Sequence, residues 1–96
     1  MSANRYLPAA RNVAQAIPGI LSQLGLNPFI SRLVLTETQQ GNAWLFVVLE
    51  VGPLQHPEEY AAPDVLRYLS TALQGLPVVI SDSYGLRYAV LLGSPN

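Results

Sequence analysis

The segment of residues 43–51 restricts the fold more than any other part of this sequence, because it has the pattern of a β-strand that is apolar on both faces. Residues 43, 45, 47, 49 and 51 point to one side of such a strand, and residues 44, 46 and 48 point to the other. All eight are apolar, and Glu50 is the only charged residue in the segment. A solvated sheet face shows polar residues at alternate positions, so this strand is expected in the centre of a sheet.

Two hairpins are predicted. Residues 29–38 form a β pattern that reaches the central strand through a turn at residues 39–42. Residues 78–81 lead in the same way to a second apolar strand at residues 86–92, across the turn Asp82-Ser83-Tyr84-Gly85. The second strand of each hairpin is the more apolar of the two.

A helix is predicted before each hairpin. After Pro8, apolar residues recur at spacings of three and four up to Leu24, and Pro18 within this stretch predicts either a kink or two short helices. The second helix begins at Pro63 and ends at Gly75.

The pattern predicts one α+β domain over residues 1–96, in the order αββαββ. We expect a four-stranded antiparallel sheet with residues 43–51 and 86–92 in the centre and two helices on one face. This order is a circular permutation of the ferredoxin-like βαββαβ arrangement. Residues 21–28 also resemble residues 69–77, which indicates an internal αββ duplication, although helix-ending Gly and Pro residues alone could produce the same likeness.

Two helices can cover only one face of the sheet, so its other face is predicted to be an apolar contact surface. Charged residues make up 11% of the chain, against about a quarter in a usual soluble domain. The surface would receive a second copy of the chain, another protein or an apolar ligand, unless the long loop or the N-terminus folds over it. The candidate contact residues are Trp44, Phe46, Val48 and Tyr88 on the strands, with His56 and Tyr60 in the loop of residues 52–62.

His56 is the only histidine, and Glu58 and Glu59 lie close enough in sequence to orient its imidazole. A general base alone makes no catalytic site, and no serine stands in a Gly-x-Ser-x-Gly motif. We therefore expect no catalytic residues and no enzyme activity, although the sequence leaves this open.

Composition argues against several other classes. The chain has no cysteine and one histidine, so no metal site and no cofactor are expected. Its net charge of −1 and its lack of lysine oppose nucleic-acid binding, although aromatic residues on a ferredoxin-like sheet can stack on RNA bases. The first 36 residues hold three arginines and no acid, which would suit an acidic partner or only a solvated surface. No apolar run is long enough to cross a membrane, and a cytoplasmic location is the default expectation.

The leading hypothesis from the sequence is a non-catalytic assembly or protein-interaction module that forms a homo-oligomer or docks on a protein partner through the apolar sheet face. The alternative is a domain that binds a small apolar molecule in a pocket under the loop of residues 52–62.

Overall fold

A computed structural model describes residues 3–82 and 86–95. It contains two α-helices, α1 (Leu7–Ser22) and α2 (Pro63–Ala72), and four strands, β1 (Phe29–Glu37), β2 (Ala43–Glu50), β3 (Val78–Ile80) and β4 (Arg87–Gly93). Short 3₁₀ helices cover Ala3–Tyr6 and Pro57–Ala61. The predicted α+β class, with two helices and a four-stranded antiparallel sheet, is confirmed. Residues 83–85 of the second predicted turn lie outside the described residues.

Helix α1 is continuous, so the predicted alternative of two short helices is not found. Pro18 lies inside it, and the ring leaves the carbonyl of Ala14 without its usual helical donor. The helix ends where Leu26 N–H donates to the Leu21 carbonyl and Gly25 N–H donates to the Ser22 carbonyl, both at 3.0 Å. This pairing is a Schellman motif, and Gly25 takes the positive φ of 80° that the motif requires.

Helix α2 ends in the same motif, but its glycine comes one position later than the glycine after α1. Gly75 N–H donates to the Ser70 carbonyl at 2.7 Å, and Gln74 N–H donates to the Thr71 carbonyl at 3.1 Å. The position that Gly25 holds after α1 is therefore occupied by Gln74, which has a φ of 62°. The internal duplication and the ferredoxin-like permutation remain interpretations of the sequence.

The sheet has the order β1-β2-β4-β3 and is antiparallel throughout. Strands β2 and β4 are central, which agrees with their apolar character, and β1 and β3 are the edges. The register of β1 shifts between Ile30 and Arg32, so Ser31 forms a bulge near one end of this edge.

One cluster of buried side chains joins both helices to one face of the sheet. On β2, the odd-numbered residues Leu45, Val47 and Leu49 enter this core, together with Tyr88 and Val90 of β4. They pack with buried residues of α1, α2 and the 3₁₀ helix of residues 57–61: Ala10, Val13, Ile17, Leu21, Tyr60 and Leu69. The helices therefore cover the face that carries the odd-numbered residues of β2.

Candidate docking face

The side chains that alternate away from the core form a second face of the sheet, called here the open face. They are Phe29, Arg32, Val34 and Thr36 of β1; Trp44, Phe46, Val48 and Glu50 of β2; Val79 of β3; and Arg87, Ala89 and Leu91 of β4. Within the described part of the chain, the buried residues of both helices pack on the opposite face.

The strand register arranges the centre of the open face in three rows. The apolar row is Val34, Phe46, Ala89 and Val79. On one side of it lies the row of Thr36, Trp44 and Leu91, which we call the tryptophan row. On the other side lies the row of Arg32, Val48 and Arg87, which we call the cationic row.

Large apolar groups on this face reach solvent. Phe29 is 74% exposed, Val79 is 46% exposed and Val34 is 36% exposed. Trp44, Phe46 and Val48 are half-buried, because neighbouring strands flank them while both helices, in the part of the chain that the structure describes, pack on the other face. Burying such side chains is favourable by about 25 cal/mol per Å² of apolar area, so the face gains from any apolar cover.

Arg32 and Arg87 stand on either side of Val48 in the cationic row. Together with Val34 and Phe46 they line a shallow cavity of about 230 Å³. Both arginines are exposed, and neither takes part in the two ion pairs found among residues 3–82 and 86–95, which are His56–Glu58 and Arg67–Asp64. The one carboxylate on this face, Glu50, lies one row further along, opposite Phe29.

The six predicted contact residues are not brought together. Trp44, Phe46 and Val48 lie on the open face, whereas Tyr60 and Tyr88 are fully buried in the core on the other side of the sheet. Tyr88 stands opposite Val47 in the register, so it belongs to the helix-covered face. A surface that includes both Trp44 and Tyr88 is therefore not what the structure shows.

Tyr60 and Tyr88 tie the loop of residues 52–62 to the core. The Tyr88 hydroxyl donates to the Tyr60 carbonyl at 2.9 Å, and the Tyr60 hydroxyl donates to Gln55 Oε1. The Gln55 side chain also donates to the Asn27 carbonyl at 3.2 Å and accepts from Asn27 N–H at 3.4 Å. The loop therefore closes on the helical side of the sheet and does not fold over the open face.

Burial raises the pKa of both tyrosines. For Tyr88 the desolvation of its hydroxyl is the larger cause and the nearby Tyr60 adds to it. For Tyr60 desolvation is again the largest cause, partly offset by a hydrogen bond with the Asn27 backbone. Both phenols are thus held neutral, as structural groups.

His56 directly precedes the 3₁₀ helix of residues 57–61 and is exposed. Its Nδ1 lies 3.7 Å from Glu58 Oε1, so the predicted contact with a neighbouring carboxylate is present. The two side chains are 73% and 77% exposed, and an ion pair between such exposed groups is weak.

The described residues contain no group of three or more histidine or acidic side chains that could hold a metal ion. In the same part of the chain, none of the helices has the length and apolar character that crossing a membrane would require.

Comparisons with known protein families, with curated proteins and with solved structures find no match to this chain. The function therefore has to be argued from the open face itself.

The sequence pointed to Trp44, Phe46 and Val48 but missed Arg32 and Arg87 as a pair. Arg32 has the pattern of a polar edge-strand residue, and Arg87 begins the apolar strand β4. The register of three strands places both arginines beside Val48, and no local sequence signal gives that register.

Proposed function

We propose that this protein is a non-catalytic interaction module that docks on a protein partner through the open face. The observation that carries the proposal is the apolar row, in which Val34, Phe46, Ala89 and Val79 lie side by side across all four strands. An antiparallel sheet with one face in water normally alternates apolar and polar residues, and this row departs from that pattern.

The size of the face supports reversible binding. Strands about 4.8 Å apart with a rise of about 3.3 Å per residue give it a planar area of roughly 400 Å². With its charged and polar residues included, the face is thus near the size of the largest apolar patch on a typical monomer, about 300–600 Å², and such patches are often functional. It is about half of the roughly 800 Å² per partner of a standard stable interface, so the expected affinity is modest.

The occupant that fits best is an amphipathic helix of another protein. A helix satisfies its own backbone hydrogen bonds, so it can lie on a sheet face without leaving unpaired groups, and α1 and α2 cover the other face in this way. One helix, about 10 Å wide, would span the neighbouring strands β1, β2 and β4 above Phe46.

A second copy of the chain fits less well. If the twofold axis ran along the strands, the cationic row would meet its own equivalent and the arginines would repel each other. If the axis ran across the strands through the apolar row, each cationic row would cover the Trp44 and Leu91 side chains of the other copy. In both arrangements four arginines lose water, and Glu50, one row away on each copy, is the one carboxylate of this face that could pair with them, so the charges stay unbalanced.

The other two hypotheses have less support. A pocket formed by Trp44 and Tyr60 would need both on one side of the sheet, and they lie on opposite sides. A catalytic role for His56 would rest on its contact with Glu58, and its loop, residues 52–62, contains no serine, threonine or cysteine that could act as a nucleophile.

Trp44 is the only tryptophan, so its fluorescence reports on the open face directly. The experiment titrates the protein with a synthetic amphipathic peptide of about 18 residues, a helix of about 27 Å, with leucines on one face and glutamates flanking them. Saturable enhancement or a blue shift of Trp44 emission is expected. Val34→Asp and Val79→Asp should weaken binding, because each puts a charge in the apolar row.

Leu54→Asp is the matched control, since Leu54 is 92% exposed in the loop away from this face. The proposal is overturned if the peptide leaves Trp44 emission unchanged at millimolar concentration. It is equally overturned if Leu54→Asp weakens binding as much as Val34→Asp does.

A further inference from the structure

We infer that Arg32 and Arg87 form an anion site on the open face that receives carboxylates of the docked helix. This inference rests on the proposed function and names the chemistry of the partner. Both arginines flank Val48 in the register, so their Cα atoms lie two strand spacings, about 10 Å, apart.

That separation matches a helix lying along β2. With a diameter of about 10 Å, a helix seated over Val48 and Phe46 has one flank beside Arg32 on β1 and the other beside Arg87 on β4. A helix of this kind would carry a leucine-rich stripe with one acidic residue on each side of it at one end. A guanidinium group binds such a carboxylate with two parallel hydrogen bonds.

Docking of a helix would desolvate both guanidinium groups, and carboxylates of the partner would then stabilise them. Neither Arg32 nor Arg87 has an ion-pair partner among the described residues, and both are exposed in the free protein. When a helix covers Phe46 and Val48, water is excluded and the effective dielectric constant around both charges falls. A partner without acidic groups would leave the two desolvated charges with only Glu50, one row away, as a carboxylate on the same face, whereas a partner with acidic flanks would pair both.

A protein carboxylate suits this site better than the phosphates of a nucleic acid. The chain carries a net charge of −1, so the protein as a whole does not attract a polyanion. The cavity between the arginines also has Val34 and Phe46 in its wall, which offer an apolar surface to the methylene groups of a glutamate and to the leucines beside it.

The test compares three peptides that share one leucine stripe and differ only in the flanking residues, which are glutamate, glutamine or lysine. Binding is measured by Trp44 fluorescence and by calorimetry in about 50 mM and about 500 mM NaCl, since salt screens exposed charges more than buried pairs. The glutamate peptide is expected to bind about tenfold more tightly than the glutamine peptide, and the lysine peptide more weakly than both.

Arg32→Gln and Arg87→Gln should each weaken binding of the glutamate peptide about fivefold and change binding of the glutamine peptide by less than about twofold. Arg67→Gln is the matched control, because Arg67 is an exposed arginine on α2, on the other side of the sheet, and should have no effect. Circular dichroism checks that the variants, all at exposed positions, keep their fold.

The outcomes separate the two proposals. If the glutamate and glutamine peptides bind equally and the arginine variants bind both like the wild type, the anion site is overturned while docking on the open face stands. If Arg67→Gln weakens binding as much as Arg32→Gln does, the attraction is general and the site is overturned. If no peptide binds, the anion site falls together with the proposed function.

Discussion

The hydroxyl of Tyr88 donates a hydrogen bond of 2.9 Å to the backbone carbonyl of Tyr60, and both residues are fully buried. The bond joins the central strand β4 to the 3₁₀ helix of residues 57–61, which are 28 residues apart in the sequence. It satisfies a carbonyl that the protein interior would otherwise leave without a donor. The loop of residues 52–62 is therefore anchored to the core through Tyr60 and leaves the open face uncovered.

Tyr88→Phe should destabilise the protein by about 1–3 kcal/mol, because the buried Tyr60 carbonyl loses its donor while the ring still fills its space. The free energy of unfolding, measured by urea denaturation, gives this value. Tyr68→Phe is the control: the Tyr68 hydroxyl donates to Gln23 at the surface, and its loss should cost less than about 0.5 kcal/mol. Equal losses in the two variants would contradict the structural role of the buried bond.

Stability should fall at alkaline pH, and the two buried tyrosines should cause it. Burial raises the pKa of Tyr88 and of Tyr60 above the ordinary value of 10.0, so the folded protein retains protons that the unfolded chain releases. Stability is then constant below about pH 9 and decreases above pH 10 by up to about 1.4 kcal/mol per pH unit for each such tyrosine.

The chain has no lysine and no cysteine, so tyrosines are the only side chains that titrate in this range. Urea denaturation at a series of pH values from about 8 to 11.5, with phenolate absorbance followed in parallel, measures the effect. Tyr88→Phe should remove a large part of the dependence. A wild-type stability that is independent of pH across this range would contradict the burial of both phenols.

Much of the fold could be predicted, because several local signals agree with each other. The apolar strand of residues 43–51 required a central position, and β2 is central. Pro63 starts α2, and glycines follow the ends of both helices. Pro18 leaves two outcomes open in the sequence, since a proline can end a helix or be tolerated within it. In the structure α1 is continuous, and Ile17 and Leu21 beside the proline pack in the core.

The composition of the open face could be predicted only in part. Both faces of β2 are apolar, so alternation alone does not tell which face the helices cover, and the same holds for β4. The sequence pattern therefore predicts Tyr88 beside Trp44, whereas the register places it opposite Val47. Tyr60 follows two exposed glutamates in a proline-rich loop, and its burial depends on contacts with Gln55 and Tyr88 that only the tertiary structure provides.

Gln74→Gly should stabilise the protein by about 0.5–1 kcal/mol, because Gln74 has a φ of 62° and glycine adopts this left-handed conformation without a steric penalty. The reverse change after α1, Gly25→Ala, should destabilise by about 1 kcal/mol. Gly25 has a φ of 80° and no atom within 4 Å of the added methyl group, so backbone strain is the only cost. Thermal and urea denaturation measure both, and a destabilised Gln74→Gly would contradict the proposed strain.

The isolated chain should be monomeric at micromolar concentration, with the mass of 10.4 kDa that its sequence gives. The charges of the cationic row disfavour a second copy on the open face, but the apolar row remains available to small hydrophobic probes.

We therefore expect the dye 8-anilinonaphthalene-1-sulfonate to bind, with its rings on Phe46 and its sulfonate beside Arg32 or Arg87. Phe46→Asp should weaken this binding, whereas Leu54→Asp, in the exposed part of the loop of residues 52–62, should preserve it. Light scattering after size exclusion measures the mass of the chain in solution, and the dye titration measures binding to the open face. A stable dimer that Phe46→Asp dissociates would show that a second copy, and not a different protein, occupies the open face.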